Sequence, residues 1–158
     1  SNAGLPEKYG FSTATFTSMF IPETYEFFWT TSPEEFAYRM YKEYEKFWEG
    51  ERDRKAGKLE MTREEVTTLA SIVDEETLFD DENSRVAGLY INRLEQGIRL
   101  QTDPTVIYGV TEGRGVLGRG LRQSELRGET PWNTYVIDGL PPTPIANPGL
   151  ASIEAKSP

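Results

Sequence analysis

The clearest pattern in the chain runs from Thr62 to Thr77, where Leu69, Ile72, Val73 and Glu76 fall on one face at i, i+3, i+4 and i+7. Asp74 and Glu75 point to other sides of the same predicted helix. Its start is marked by Thr62-Arg63-Glu64-Glu65, a capping-box sequence. Upstream, Thr31-Ser32-Pro33-Glu34-Glu35 predicts another helix start, with Ser32 as N-cap, Pro33 at the first helical position and Glu35 at the third. That helix carries Phe36, Met40, Tyr44 and Phe47 on one side and ends by Gly50. Asp80-Asp81-Glu82-Asn83 turns the chain into a further helix with Val86, Leu89, Tyr90 and Leu94 on one face and Gly97 as its stop.

Elsewhere the pattern is weaker. Residues 4–31 are aromatic and rich in turn formers, and read as loop or short strand; residues 49–60 are highly charged and read as a solvated helix end and linker. Ile98-Arg99-Leu100-Gln101 alternates like a short strand, and Thr102-Asp103-Pro104-Thr105 reads as a turn into a helical start, with Asp103 extended because Pro104 follows it. Val106 to Gly109 makes one apolar turn, and Gly113 to Gly120 reads as a loop or hairpin tip without the spacing of a phosphate-binding loop. Trp132 to Ile137 is strand-like, Asp138-Gly139 turns it, and Leu140 to Gly149 holds four prolines in irregular extended chain. The expected fold class is therefore α+β, a single helix-rich domain over residues 4–158 with short strands and a long proline-rich C-terminal segment.

Composition changes the picture mainly by what it removes. The chain has 158 residues, 37% of them apolar, enough for one domain with a moderate core. No stretch approaches the roughly 20 apolar residues of a transmembrane helix. Ser1-Asn2-Ala3 resembles a scar of tag removal, and with no initiator Met the chain reads as a fragment of a longer protein. With no Cys and no His it offers no thiol nucleophile, no Ser-His triad, and no imidazole or thiolate metal ligand. Neither a metal nor a cofactor is expected. Acid–base chemistry falls to carboxylates, Tyr or Lys. The net charge of −9, with no visible basic patch, argues against a nucleic-acid partner and against a direct grip on anionic lipid.

Within those limits Glu76 stands out. A carboxyl group held against apolar side chains resists ionisation and can serve as a general acid near neutral pH. The plainer alternative is a wet helix-end Glu or one paired with Arg85 or Arg93. Two further segments, Arg99 to Gly109 and Trp132 to Gly149, are too polar and punctuated for core packing alone. They place Gln101, Thr102, Asp103, Thr105, Asn133 and Tyr135 in turns or strand ends, where binding residues tend to lie. Hydroxyls and amides beside aromatics suit an uncharged, hydroxyl-rich ligand such as a sugar chain. Asp103 and Asn133 equally suit local capping of backbone N–H groups.

Several of these runs carry a family resemblance. Leu69-Ala70-Ser71-Ile72-Val73-x-x-Glu76-Thr77 resembles the catalytic-helix motif of the YceG-like (MltG) endolytic murein transglycosylases, and Val86-Ala87-x-x-x-Ile91-Asn92-Arg93-Leu94 follows at the family's spacing. Arg99 to Gly109 (RLQTDPTVIYG) is nearly verbatim a family signature, and Asn133-Thr134-Tyr135, Gly139 to Gly149 and Pro22-Glu23-Thr24-Tyr25 are similar to further family motifs. The resemblance implies a lyase that cuts peptidoglycan glycan strands internally between N-acetylmuramic acid and N-acetylglucosamine, leaving 1,6-anhydromuramyl ends. It implies Glu76 as the catalytic residue on a lysozyme-like catalytic helix. Gln101, Thr102, Asp103, Thr105, Tyr108, Asn133 and Tyr135 are implied for sugar binding and for orienting Glu76.

The implied partners are glycan strands and peptidoglycan synthases. The implied location is the outer face of the bacterial inner membrane, reached through an anchor this chain lacks. Two alternatives stay open: a binding or scaffold module of the elongation machinery without turnover, and a muramidase using Glu76 with Asp103. The chain departs from the family at Asp74, usually Glu, and at Lys156-Ser157-Pro158, where the family continues.

Overall fold

The computed structural model describes residues 4–155, and the chain divides into two compact units, one up to Glu64 and one from Glu65 onward. The predicted tag remnant and the terminal Lys156-Ser157-Pro158 lie outside the described residues. Helices account for 52% of the structure and no strand occurs among the described residues, so the expected α+β class is corrected to all-helical.

In the first unit, α1 (Leu5–Lys8) and a 3₁₀ turn (Phe16–Met19) precede α2 (Pro33–Trp48) and α3 (Glu51–Lys58). Ser32 caps α2 as its sequence predicts: its hydroxyl accepts from the Glu35 N–H at 3.1 Å, and the Glu35 carboxylate accepts from the Ser32 N–H at 2.8 Å. The buried face of α2 is Ala37, Met40, Tyr44 and Trp48, rotated from the predicted one, because Phe36 stays partly exposed and Trp48 takes the core position expected of Phe47. Phe11 packs edge-on to Tyr44 at 5.2 Å. Most of the charged run 49–60 is helix rather than linker, from Glu51 to Lys58: an internal Glu51–Lys55 pair at 2.8 Å and buried Ala56 give α3 its support. Arg63 Nε and one terminal nitrogen grip both Asp53 carboxylate oxygens at 2.7 and 2.6 Å, and the other reaches Glu45 at 2.7 Å, which fixes where α4 (Arg63–Glu76) begins.

The second unit is built on the rest of α4, α5 (Asn83–Glu95), α6 (Asp103–Thr111), α7 (Gln123–Leu126) and α8 (Leu150–Ile153). Seven consecutive residues of α4, Thr67 to Val73, are buried. Gly97 stops α5 as predicted. At φ +66° it lets its own N–H and that of Ile98 close on the carbonyls of Leu94 and Arg93 at 3.1 and 2.8 Å. The predicted α5 face shifts as well, with Leu89 51% exposed and Ala87, Gly88, Tyr90 and Ile91 buried.

The two predicted strands fail for a common reason. Residues 98–101 run without a ladder, and a single backbone bond, Gln101 N–H to Thr134 C=O at 3.1 Å, joins them to the second segment. Gln101 itself has φ +54°, which breaks the extended run. Trp132 to Ile137 coils into a turn in which the Asn133 carbonyl accepts from both Val136 and Ile137 at 3.0 Å. Arg99 clamps the two segments by its side chain, donating to Asp138 Oδ1 at 2.8 Å and to the Tyr135 carbonyl at 3.2 Å. Asp103 also differs from expectation. It is the first residue of α6 and the extended position is Thr102, since a proline in the first turn gives up no helical hydrogen bond. The helix then passes through Gly109, whose missing side chain admits the Thr130 hydroxyl; a Cβ there would lie 2.6 Å from it. The proline-rich segment is irregular, as expected, and carries no helix before α8.

Opposite responses to one substitution follow. Gly97→Ala forces a left-handed residue and is expected to lower stability by about 1 kcal/mol. Gly57→Ala, at an open helical position, is expected to raise it by about 0.5 kcal/mol. Denaturant midpoints that move the same way for both would contradict these backbone assignments.

Candidate active site

Glu76 is the last residue of α4. The apolar stripe of Leu69, Ile72 and Val73 is fully buried, but it ends one turn short, and Glu76 is exposed. The expectation of a carboxyl packed on aliphatic side chains is corrected accordingly, because the helix leaves the core at that turn. What meets the carboxyl is hydroxyl: Thr102 donates from Oγ1 to Glu76 Oε1 at 2.5 Å.

Thr102 is itself held by a closed ring of hydrogen bonds. Its N–H donates to Thr134 Oγ1 at 3.0 Å, Thr134 and Thr105 share a hydroxyl contact at 2.8 Å, and Thr105 Oγ1 donates to the Thr102 carbonyl at 2.7 Å. Each hydroxyl carries one proton. With the Thr105 proton on the Thr102 carbonyl, the proton between the two hydroxyls belongs to Thr134. The ring then runs in one direction, from Thr102 N–H through Thr134 and Thr105 back to Thr102 C=O. All three threonines are buried. The Thr102 hydroxyl proton takes no part in the ring and goes to Glu76.

Two phenols flank this pair. Tyr135 donates to Asp103 Oδ1 at 2.7 Å. That bond to a carboxylate, followed by burial and by the charges of Asp103 and Glu76, pushes the Tyr135 phenol up to about 12. Tyr90, from α5, is buried, and burial first, then the Glu76 charge, pushes its phenol up to about 12, against a lowering by Thr102. The structure thus gathers Glu76, Thr102, Asp103 and Tyr135 from the sequence-derived set and adds Tyr90. The sequence placed Tyr90 only on an apolar face, and the one available signal was that a buried Tyr hydroxyl needs a partner.

The remaining candidates divide. Gln101 is exposed beside the site, in its left-handed conformation. Thr105 belongs to the buried ring. Asn133 is fully buried and spends its amide locally: Nδ2 donates to the carbonyls of Glu125, Leu126 and Gly128 at 3.3, 3.2 and 2.7 Å, while Oδ1 accepts from Tyr135 N–H at 3.0 Å. Tyr108 packs on Trp132 at 5.5 Å. Asp74 reaches away from Glu76, as its helical position predicts. Its Oδ1 accepts from Ser152 of α8 at 2.6 Å, Ser152 accepts from Asn83 at 3.2 Å, and Thr77 donates to Asn83 Oδ1 at 2.7 Å. This second network, invisible in the sequence, ties the end of α4 to α5 and α8. Ser71 adds a tie to the proline-rich segment by accepting from Ile145 N–H at 3.0 Å.

Among the described residues no cluster of Asp and Glu is arranged to hold a metal ion, and no helix is long and apolar enough to cross a membrane.

The same chain pattern is found in known proteins. A model of the YceG-like family matches residues 2–157, and the chain belongs to that family. An endolytic murein transglycosylase of Bacillus subtilis is 38% identical over 88 residues, covering 56% of this chain and 23% of that protein. One from Streptococcus pneumoniae is 30% identical over 100 residues, covering 60% of this chain and 17% of that protein. A crystal structure of a yceG-like protein from Listeria monocytogenes superposes with a TM-score of 0.71 at 31% identity, covering 97% of this chain and 52% of that one. The chain therefore spans about a quarter or less of the curated relatives it matches.

Two outcomes test the site's wiring. Asp103→Asn removes the charged acceptor, so Tyr135 is expected to titrate closer to 10 than to 12, read as phenolate absorbance against a Tyr135→Phe control. A raised phenol pKa contributes stability that is fully present below pH 10 and is lost as pH climbs through 12. A titration unchanged by Asp103→Asn would contradict the contact. Asn133→Ala removes the amide's bonds to three carbonyls and to the Tyr135 N–H and is expected to cost about 2–4 kcal/mol in denaturant unfolding; a loss under about 0.5 kcal/mol would contradict the assignment.

Proposed function

We propose that this chain carries the catalytic region of an endolytic lytic transglycosylase acting on peptidoglycan glycan strands, with Glu76 as its single acid–base group. The observation that carries the proposal is the environment of that carboxyl. It is exposed to an incoming strand, yet one of its two oxygens is held by the buried, ring-locked Thr102. Membership of the YceG-like family and the names of the similar proteins support the substrate and reaction class.

The chemistry needs one carboxyl group. Protonated Glu76 donates to the oxygen linking muramyl C1 to the next sugar, and that oxygen leaves as a hydroxyl. As carboxylate, Glu76 then takes the proton of the muramyl 6-hydroxyl while its oxygen bonds to C1. The proton count on the enzyme is restored, no water is consumed, and a 1,6-anhydromuramyl end results. A hydrolase would instead place a second carboxylate at about 5–9.5 Å to act as nucleophile or to activate water. Thr102 on Oε1 leaves Oε2 to perform both transfers. Asp103 with Tyr135, and Gln101, are assigned to sugar contact on this reading, supported by their place beside Thr102 and by the Tyr135–Asp103 bond. Thr105 and Asn133 act from beneath the surface by holding Thr102 and Tyr135 in place. The reading puts the reaction on the outer face of the cell membrane, with peptidoglycan synthases as fitting partners.

The test is product analysis on purified strands. Glu76→Gln is expected to reduce cleavage by at least about a hundredfold, the usual share of general acid–base catalysis, with folding intact and anhydromuramyl ends lost. Reducing ends from the unmodified protein, or undiminished cleavage by Glu76→Gln, would overturn the proposal. Strand binding without turnover would point to a binding module.

A further inference from the structure

We propose that Asn83 is a positioning residue of this site: through Thr77 and Ser152 its amide clamps the last turn of α4 from both sides, and so sets the direction in which Glu76 leaves the helix. The inference rests on the reading of Glu76 as the acid–base group and goes beyond it by naming what fixes the backbone that carries that group.

Helix ends fray, because their last carbonyls have no partner within the helix. Glu76 stands at such an end. Thr102 holds one oxygen of its side chain, but a carboxyl that must give and then take a proton at two different sugar oxygens needs its own backbone fixed as well. The residues on either side of Glu76 supply this. Thr77, the next residue, closes the turn with its N–H on the Val73 carbonyl at 3.1 Å, and its hydroxyl donates to Asn83 Oδ1 at 2.7 Å. Asp74, two residues before Glu76, accepts from Ser152 at 2.6 Å, and Ser152 accepts from Asn83 Nδ2 at 3.2 Å. Both flanks of Glu76 therefore lead to one amide.

Proton counting gives this clamp a single arrangement. A carboxylate only accepts, so the one hydroxyl proton of Ser152 belongs to Asp74, and the Asn83 group facing Ser152 is the amide NH₂. Its carbonyl then faces Thr77 and takes the Thr77 hydroxyl proton. The Val73 carbonyl, 2.9 Å from the same hydroxyl, already holds the Thr77 N–H. The donors thus run in one direction, from Thr77 through Asn83 and Ser152 to Asp74. The centre of the clamp is buried: Asn83 on α5 is 2% exposed and Ser152 on α8 is 4% exposed. Apolar side chains would join three helices at a smaller desolvation cost; an amide adds direction, because its donor and its acceptor fix two points at once. The plainer role, a buried amide that only joins helices, would cost stability on its loss but would leave turnover alone.

The experiment is steady-state cleavage of purified glycan strands, well below the thermal midpoint measured for each protein. It compares the unmodified chain with Thr77→Val, Thr77→Ser, Asn83→Ala, the Thr77→Val/Asn83→Ala double variant, Ser71→Ala and Glu76→Gln. Thr77→Val keeps the side-chain shape and the N–H on Val73. Its kcat is expected to fall about tenfold, the effect of a loosened reacting group, with KM within about twofold. Asn83→Ala is expected to fall at least as far, Thr77→Ser to recover most of the Thr77→Val loss, and the double variant to be within about twofold of Asn83→Ala, because both break one clamp. Ser71→Ala removes a buried tie from the same helix, more than one turn before Glu76, and is expected to lower the midpoint with kcat within about twofold. A kcat for Thr77→Val no lower than that of Ser71→Ala, or losses that multiply in the double variant, would overturn the proposal while leaving Glu76 as the acid–base group. Full activity in Glu76→Gln would overturn both.

Discussion

The hydrogen bond from Thr102 to Glu76 is the contact on which the rest of this structure depends. It joins the end of one helix to the start of another, and neither end is fixed by apolar packing alone. Glu76 leaves the core just where its helix stops. Thr102 is not a conventional cap, since its side chain makes no bond to its own helix and points to Glu76 instead. The N-cap role is given up to orient a carboxyl, and the hydroxyls of Thr105 and Thr134 stabilise the turn in its place. Replacing that capping bond is a cost of about 1 kcal/mol. It is offset by a buried ring in which every proton has an acceptor.

Two layers of polar contacts then act at different depths. Below the surface, the threonine ring, the Asn133 amide and the Asp74–Ser152–Asn83–Thr77 chain hold segments that have no strands to hold them. Such interior networks tolerate little loss, because a stranded buried donor or acceptor costs about 1–3 kcal/mol. At the surface, Glu76, Asp103, Tyr135 and Gln101 stay open to a ligand. The exposed groups are few, and their surroundings are set from beneath.

Local signals were readable from the sequence and tertiary ones were not. The Ser32 capping box and the Gly97 stop are short-range chemistry, and both stand as predicted. Trp132 to Ile137 has the aromatic and β-branched residues of a strand, yet the Asn133 carbonyl closes a turn within it, and side chains of Arg99 and the threonines do the joining that a ladder would have done. The charged run 49–60 reads as a solvated helix end and linker, and an internal ion pair with one buried alanine makes Glu51–Lys58 helix. At the site, the structure brings the polar residues around Thr102 and Asn133 together, but sequence could not sort them by depth. Thr105 and Asn133 look like ligand contacts until their burial is known. Tyr90 was hidden by the opposite effect, since its ring fits an apolar stripe and only the fold reveals that its phenol feels the Glu76 charge.

The central claim is that one carboxyl group, held by the Thr102 hydroxyl, cleaves the strand by internal attack without water. Cleavage in ¹⁸O-labelled water, followed by mass spectrometry of the new muramyl ends, tests it most directly. The account predicts ends lighter by one water than a reducing sugar and free of label. Label on the muramyl C1 oxygen would mean that water had attacked there, and would contradict it.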